Sequence, residues 1–205
     1  YAINIGAYYF LWLAIYGGRE ELGGLSTAQM STYVAVAWMA RAFYFNNIDR
    51  EMAMEIKEGR VAVELIRPYH YLVMKMMQAF GEGAFRFIFF SLPGMLFISL
   101  LFPISWPSSV SVLGMYLLSL LFAFLINTQI NMIMGILTFF FFNNDGLIQT
   151  KRVAVDLFSG LLIPIAFFPE WAAKLLTYLP FQAISYLPAM IYTGGISGTE
   201  IGEAI

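Results

Sequence analysis

The chain has 205 residues, of which 60% are hydrophobic, 18% aromatic and only 12% charged, and its mean hydropathy is +0.73. An ordinary soluble domain carries about 25% charged residues, so the composition excludes that class and points to an integral membrane protein. A formal net charge of −2 says nothing useful about partners, no nucleic-acid partner is expected, and the lack of cysteine excludes disulfides, thiolate metal sites and a cysteine nucleophile.

The apolar runs are long enough, at 1.5 Å rise per residue, to cross roughly 30 Å of hydrocarbon as helices rather than as barrel strands. With no Met at position 1 and no signal-peptide pattern, the chain reads as a fragment whose true start is missing, a single transmembrane domain over residues 1–205 with both ends truncated. A first span is expected at about 1–16, closed by Gly17-Gly18 and the charged Arg19-Glu20-Glu21. A turn at 23–27, with Ser26 or Thr27 as helix N-cap, leads to a second span at about 28–45. Arg41, near its end, is expected to snorkel towards the polar side. The third span, about 72–102, is interrupted by Gly81, Gly83 and Pro93-Gly94, and its charged foot (Lys75, Glu82, Arg86) is expected to stand outside the lipid. Residues 103–109 form an uncharged turn, a fourth span follows at about 110–142, and Asn143-Asn144-Asp145-Gly146 breaks it. A fifth span is expected at about 153–168, kinked at Pro164.

The region 169–193 resists the simple count. Pro169-Glu170-Trp171 begins a short amphipathic helix that Pro180 ends. The apolar stretch 182–193 is short for a span and reads as a re-entrant or interfacial helix on the outer face. The polar tail 197–203 leads towards a further span.

Charge orients the whole. Of the 11 Lys and Arg residues, six lie in 41–75 and two in 143–152, against one in 17–25, none in 103–109 and one in 169–205. Because spans alternate sides, the positive-inside rule places 41–75 and 143–152 in the cytoplasm. The stretch 41–75 divides at Gly59. Ahead of it, Ile48, Met52 and Ile56 recur every four residues. Asp49, Arg50, Glu51, Glu55, Lys57 and Glu58 cover the remaining faces of a helix that Asn47 or Asp49 can cap and Gly59 can end. One face would lie on the membrane or on the body of the protein, leaving the charged one for a soluble partner.

Catalysis has little to stand on. No G-x-x-x-x-G-K-[ST] loop and no Gly-rich dinucleotide fingerprint occurs, so the chain is not expected to hydrolyse ATP or to hold a cofactor itself. The only histidine, His70, sits between Tyr69 and Tyr71 without companions for a metal site, and Ser159-Gly160 is not set in a nucleophile elbow. Two rival classes are a polytopic membrane enzyme acting on lipid, which would need clustered polar catalytic groups, and a channel or ion-coupled carrier, which would want repeated halves or unpaired midplane acids.

The sequel to the charged helix, Gly59-Arg60-Val61-Ala62-Val63-Glu64-Leu65-Ile66-Arg67-Pro68, resembles the G-x-L-D-x-x-L-x-R-P pattern in the cytoplasmic loop of ABC-2-type transporter permeases, within the bacterial export permeases once grouped as a domain of unknown function. Gly59, Leu65, Arg67 and Pro68 match and Val61 is conservative, whereas Ala62 stands where the family has an acid. The run from Leu162 to Trp171, followed by Leu179-Pro180-Phe181-Gln182 and Tyr186-Leu187-Pro188-Ala189, is similar to the family's outer segment between the fifth and sixth spans. Gly24-Leu25-Ser26 likewise resembles its G-W-[ST] lead into the second span. The resemblance covers nearly the whole chain.

It implies an all-α polytopic permease of the ABC-2, type V exporter-like fold, with five of an expected six spans visible, outer re-entrant helices and a coupling helix at about 48–58. It further implies a dimer of permease protomers, in a bacterial inner membrane, driven by a separate ABC ATPase subunit that binds the ATP. The residues it assigns to that coupling are Asp49, Arg50, Glu51, Glu55, Glu58, Gly59, Arg60, Arg67 and Pro68.

Within the spans, Asn127, Asn131, Gly135 and Thr138 share one face of the fourth. Polar residues in lipid face protein or water. Packing and hydrogen bonding between helices is the first explanation, and a place on the transport path is the alternative for Asn127, Asn131 and Thr138. Asp156 lies one turn beyond Arg152, and Glu82 one turn before Arg86, so each is expected to form a pair within its own helix.

Overall fold

Ser26 starts the helix around which the others are arranged. Its hydroxyl accepts from the Gln29 N–H at 3.2 Å while the Gln29 side chain accepts from the Ser26 N–H at 2.9 Å, a reciprocal cap. The helix that follows, α2 (Thr27–Tyr44), is buried along nearly its whole length. A computed structural model describes residues 2–195, so the tail 197–203 lies outside the described residues.

Ahead of α2 come α1 (Ala2–Tyr16) and a two-stranded hairpin, β1 (Glu21–Leu22) antiparallel to β2 (Leu25–Ser26), with Glu21 opposite Ser26. Gly23 and Gly24 occupy the turn with φ of 61° and 77°, values that glycine adopts without steric cost and that a two-residue hairpin turn requires. The Tyr16 hydroxyl donates to the Leu25 carbonyl at 2.8 Å and ties the end of α1 to this hairpin.

After α2 the chain forms α3 (Ile48–Lys57), a short α4 (Val61–Ile66), and α5 (Tyr71–Arg86), which continues through a π-helical turn at Phe87–Ser91 into α6 (Leu92–Leu101). The expected break at Pro93-Gly94 is therefore absent. Pro93 has no N–H and its ring crowds the carbonyl four residues back. The wider π turn just before it resolves this, with the Leu92 N–H reaching back to the Phe87 carbonyl, and the helix runs on. Gly81 and Gly83 do not interrupt it either. Gly83 instead lets α5 approach α2 closely, since a Cβ there would collide with the Phe43 carbonyl.

The long α7 (Val110–Ile136) starts under a Ser109 cap and tightens into a 3-10 turn at Leu137–Phe139. It ends there, so Phe140, Phe141 and Phe142 stand exposed beyond it. Among the described residues, two continuous helical stretches, Tyr71–Leu101 and Val110–Phe139, are long and apolar enough to cross a membrane, while α1 is apolar but shorter.

The helix expected at 153–168 is displaced. It begins at Asp145 and stops at Phe158 (α8, Asp145–Phe158), and Gly160, with φ of 81°, turns the chain into irregular structure and a 3-10 turn at Ile165–Phe167. The amphipathic α9 (Glu170–Thr177) forms where expected. The last helix, α10 (Tyr186–Thr193), read from sequence as re-entrant or interfacial, has residues 187–192 all buried and packs between α2 and α7. Its Tyr186 N–H donates to the Ser159 carbonyl at 2.8 Å. Two apolar clusters result. One joins α1, the hairpin and residues 30–39 of α2, and the other joins α2, α3, α7 and α10.

Candidate functional site

The helix read as charged and free, α3, is a strut fixed on three sides. Ile48 and Met52 are buried against α7, where Gly135 makes room: a Cβ built there would lie 2.8 Å from the Met52 Cβ. Asp49, read as part of the solvated face, has no exposed surface, and its Oδ2 accepts from Lys151 Nζ of α8 at 2.7 Å. Lys151 also donates to Asn131 Oδ1 of α7. Burial pushes the Lys151 ammonium below its usual range, while the Asp49 carboxylate pulls it back up.

On the α5 side, Glu55 turns inward to accept from Lys75 Nζ at 2.7 Å and from the Tyr71 hydroxyl at 2.6 Å. Its burial favours the neutral acid, but those two donors outweigh it and hold the carboxyl below the ordinary carboxylate range. Glu51 is half-buried, 3.1 Å from Gln78 Nε2. Two outer contacts to α8 complete the seating, Arg50 to Gln149 at 3.1 Å and Lys57 to Asp145 at 3.0 Å.

Asn127, Asn131 and Thr138 line the interior of the same junction. Asn127 Nδ2 donates to the Tyr44 carbonyl at 2.9 Å, and Asn131 Nδ2 to Asn46 Oδ1 at 2.8 Å. Asn46 in turn donates to Thr128 at 3.0 Å, and Asn144 donates to Thr138 at 2.7 Å. The Tyr44 carbonyl, at the end of α2, would otherwise lack a backbone partner, and the remaining bonds tie the segments that follow α2 and α7 back onto α7 and its 3-10 turn.

Two expected ion pairs fare differently. Glu82 and Arg86 pair along α5 at 3.5 Å, and Arg86 Nε also donates to the Ala42 carbonyl at 3.0 Å. Asp156 does not pair with Arg152. It accepts both guanidinium arms of Arg41, Nη2 to Oδ2 at 2.9 Å, while Arg152 reaches Asn47 Oδ1 at 2.9 Å. Nor does Arg41 snorkel to solvent. Its side chain is 12% exposed and its guanidinium stacks 4.9 Å from the Phe45 ring, because a partly buried carboxylate on the facing helix is a better partner for a planar fork than a distant polar boundary.

What remains outward is the elbow. Arg50, Glu58, Gly59, Arg60, Arg67 and Pro68 are exposed, with Gly59 in the left-handed conformation (φ 74°) that ends α3. Arg67 donates to Glu64 at 3.2 Å and to the Tyr69 hydroxyl at 2.8 Å, which stiffens the turn into α5. Beside these charges stand Met54, Val63, Leu65 and Ile66, between 54% and 82% exposed. Of the coupling residues proposed from sequence, Asp49 and Glu55 thus face in and the others face out or lie at the edge. Lys151, Lys75 and Asn46, which organise the junction, were not among them. The dipeptides Asn46-Asn47 and Asn143-Asn144, each ending an apolar helix, were the available signal.

The profile of the family described as ABC-2 family transporter protein matches residues 2–203, nearly the whole chain. The chain belongs to the ABC-2 transporter family. It is accordingly a membrane transport subunit of permease type, of a family whose permeases in general work with an ABC ATPase and do not themselves carry the catalysis. No curated protein and no solved structure matches it.

Proposed function

We propose that this ABC-2 permease is the multi-pass, membrane-embedded half of an ATP-driven exporter in a bacterial plasma membrane, that it works as a dimer of permease protomers, and that a cytoplasmic ABC ATPase docks on its α3–α4 elbow. The observation that carries this is the contrast within α3–α4. Met54, Val63, Leu65 and Ile66 stand exposed next to Glu58, Arg60 and Arg67, while the inner face of α3 is locked to α5, α7 and α8. An apolar patch rimmed by charge marks a protein contact, and a strut anchored on three helices passes displacement inward rather than absorbing it. A partner shifts a conformational equilibrium only by binding its two states differently, and this seating gives α3 the leverage to report ATPase closure to the bundle.

Co-purification tests it. The intact permease, expressed with its ATPase, should retain the ATPase, and Leu65→Asp or Ile66→Asp should release it while thermal unfolding of the permease stays unchanged. Charge reversal at Glu58 should weaken the complex, whereas Glu55→Lys should act by destabilising the permease itself. Retention of the ATPase by both Asp variants would sink the reading. Orientation is checked with cysteines in whole cells: Ser108→Cys should react with an impermeant maleimide and Ala62→Cys should not.

A further inference from the structure

Between α2, the π turn, α6 and the outer part of α7 lies a cavity of about 400 Å³. Its wall is made by Met39, Met95, Leu113, Leu117, Tyr116 and Trp106 among others, almost all of it carbon. The one serine in the wall, Ser91, has its hydroxyl committed to the Met39 carbonyl at 3.2 Å. The mouth is framed by Leu92, Leu117 and Trp106, each 47% to 58% exposed, and by Leu113. Leu92 and Leu117 belong to the two helical stretches long and apolar enough to cross a bilayer.

We infer that this groove holds one acyl chain of an outer-leaflet lipid. The inference rests on the membrane orientation proposed above. Protein interiors leave few voids larger than a water molecule, and a space of this size with an almost wholly carbon lining takes an apolar guest. The mouth opens onto the surface that hydrocarbon covers, so the guest arrives from the bilayer. Depth fits the same occupant. Ten residues of helix separate Ser91 from Leu101, a rise of about 15 Å, comparable with the length of an acyl chain that fills one leaflet of a hydrocarbon core roughly 30 Å thick. Trp106 stands at the shallow end, where an amphipathic ring marks the headgroup level. A polar peptide such as 197–203, with Thr199, Glu200 and Glu203, does not suit a wall of this chemistry.

The full-length permease is reconstituted in phosphatidylcholine nanodiscs doped with one of two photoactivatable phosphatidylcholines, bearing a diazirine either at the end of the acyl chain or next to its carboxyl. Adducts are mapped by mass spectrometry, with the exposed Phe97 and Leu100 as the reference for ordinary lipid contact. The chain-end probe should label the deep residues Met39 and Ser91, and the carboxyl-proximal probe should label Trp106 and Leu113. Met95→Trp, which fills the groove, should cut labelling of Met39 at least fivefold while leaving Phe97 unchanged, and Leu113→Trp should do the same if Met95→Trp does not fold. Labelling of Phe97 and Leu100 without Met39 in either probe overturns the groove assignment and leaves the membrane reading intact. Absence of label at Phe97 and Leu100 overturns the membrane reading. A reversed order, with the chain-end probe at Trp106, overturns the outer-leaflet origin, and a cross-link between two Leu92→Cys protomers in place of lipid adducts assigns the groove to a second copy.

Discussion

Asp49 of α3 and Lys151 of α8 meet at 2.7 Å, 102 residues apart in sequence, with the Asp49 side chain wholly buried and that of Lys151 13% exposed. This contact decides whether α3 is a surface helix or a part of the bundle. A charge taken out of water is tolerated only when its partner stays. Asp49→Asn or Lys151→Met alone should therefore lower stability by about 3–5 kcal/mol, and the double variant should lose clearly less than the sum of the two. Thermal or denaturant unfolding of the purified protein in detergent measures this, and strict additivity would show that the two groups do not depend on each other.

A second interhelical pair closes the other end of α8. Arg41 offers both guanidinium nitrogens to Asp156 while stacking on Phe45. Lysine keeps the charge but lacks the fork and the flat stacking surface. Arg41→Lys should cost about 1.5–3 kcal/mol, the range of a charge-assisted hydrogen bond, and Arg152→Lys, whose residue also lies over Phe45 but makes a single hydrogen bond to Asn47, should cost less. Equal losses in the two variants would show that the bidentate geometry has no special role.

These pairs mark the limit of what the sequence conveys. Several helix ends were legible from a local signal, Ser26 as a cap, Gly59 after a charged run and Pro169 ahead of Glu170, whereas Pro93-Gly94 misled. The 59–68 motif and the later proline-rich segments sufficed to place the family. Partner choice among charges was not legible, because residues four apart on one helix, such as Arg152 and Asp156, look complete in themselves until a facing helix brings Arg41 closer. The helix boundary at Phe158 was hidden for a related reason. Residues 153–168 are apolar apart from Asp156 and Ser159, and only the left-handed Gly160, pressed against Tyr186 and Tyr33, shows that the chain turns there to meet α10. Burial of α10 itself depends on α2 and α7 leaving it a slot, which no local pattern encodes.

Acid should loosen the α3–α5 contact first. Glu55 has its folded-state pKa below the ordinary value, since donation from Lys75 and Tyr71 outweighs burial. Its contribution to stability is then fully present above the usual carboxylate range, near pH 4.3, and is lost as pH falls through the lower folded-state value. Wild-type protein should lose stability on acidification through that window, and Glu55→Gln should be less stable at neutral pH but flatter in its pH dependence. Parallel curves for the two proteins would remove Glu55 from the acid response.

The seat of α3 on α7 can be tested at a glycine. A Cβ at Gly135 would fall 2.8 Å from the Met52 Cβ and 3.1 Å from its sulfur, whereas at Gly114, in the same helix, nothing lies within 4 Å. The nearest atom at Gly135 is fixed to the backbone, so no rotamer change of Met52 relieves it, and the two helices must separate. Gly135→Ala should thus destabilise by about 1–3 kcal/mol, the usual range for overpacking. Gly114→Ala should be neutral or stabilising by up to about 1 kcal/mol, the helix-propensity gain. Shortening the partner should not rescue, because Met52→Ala retains the Cβ that collides. Unfolding of the three variants decides it: recovery of stability in the Met52→Ala, Gly135→Ala pair would mean that the sulfur end, and not the closeness of the two backbones, sets the distance between α3 and α7.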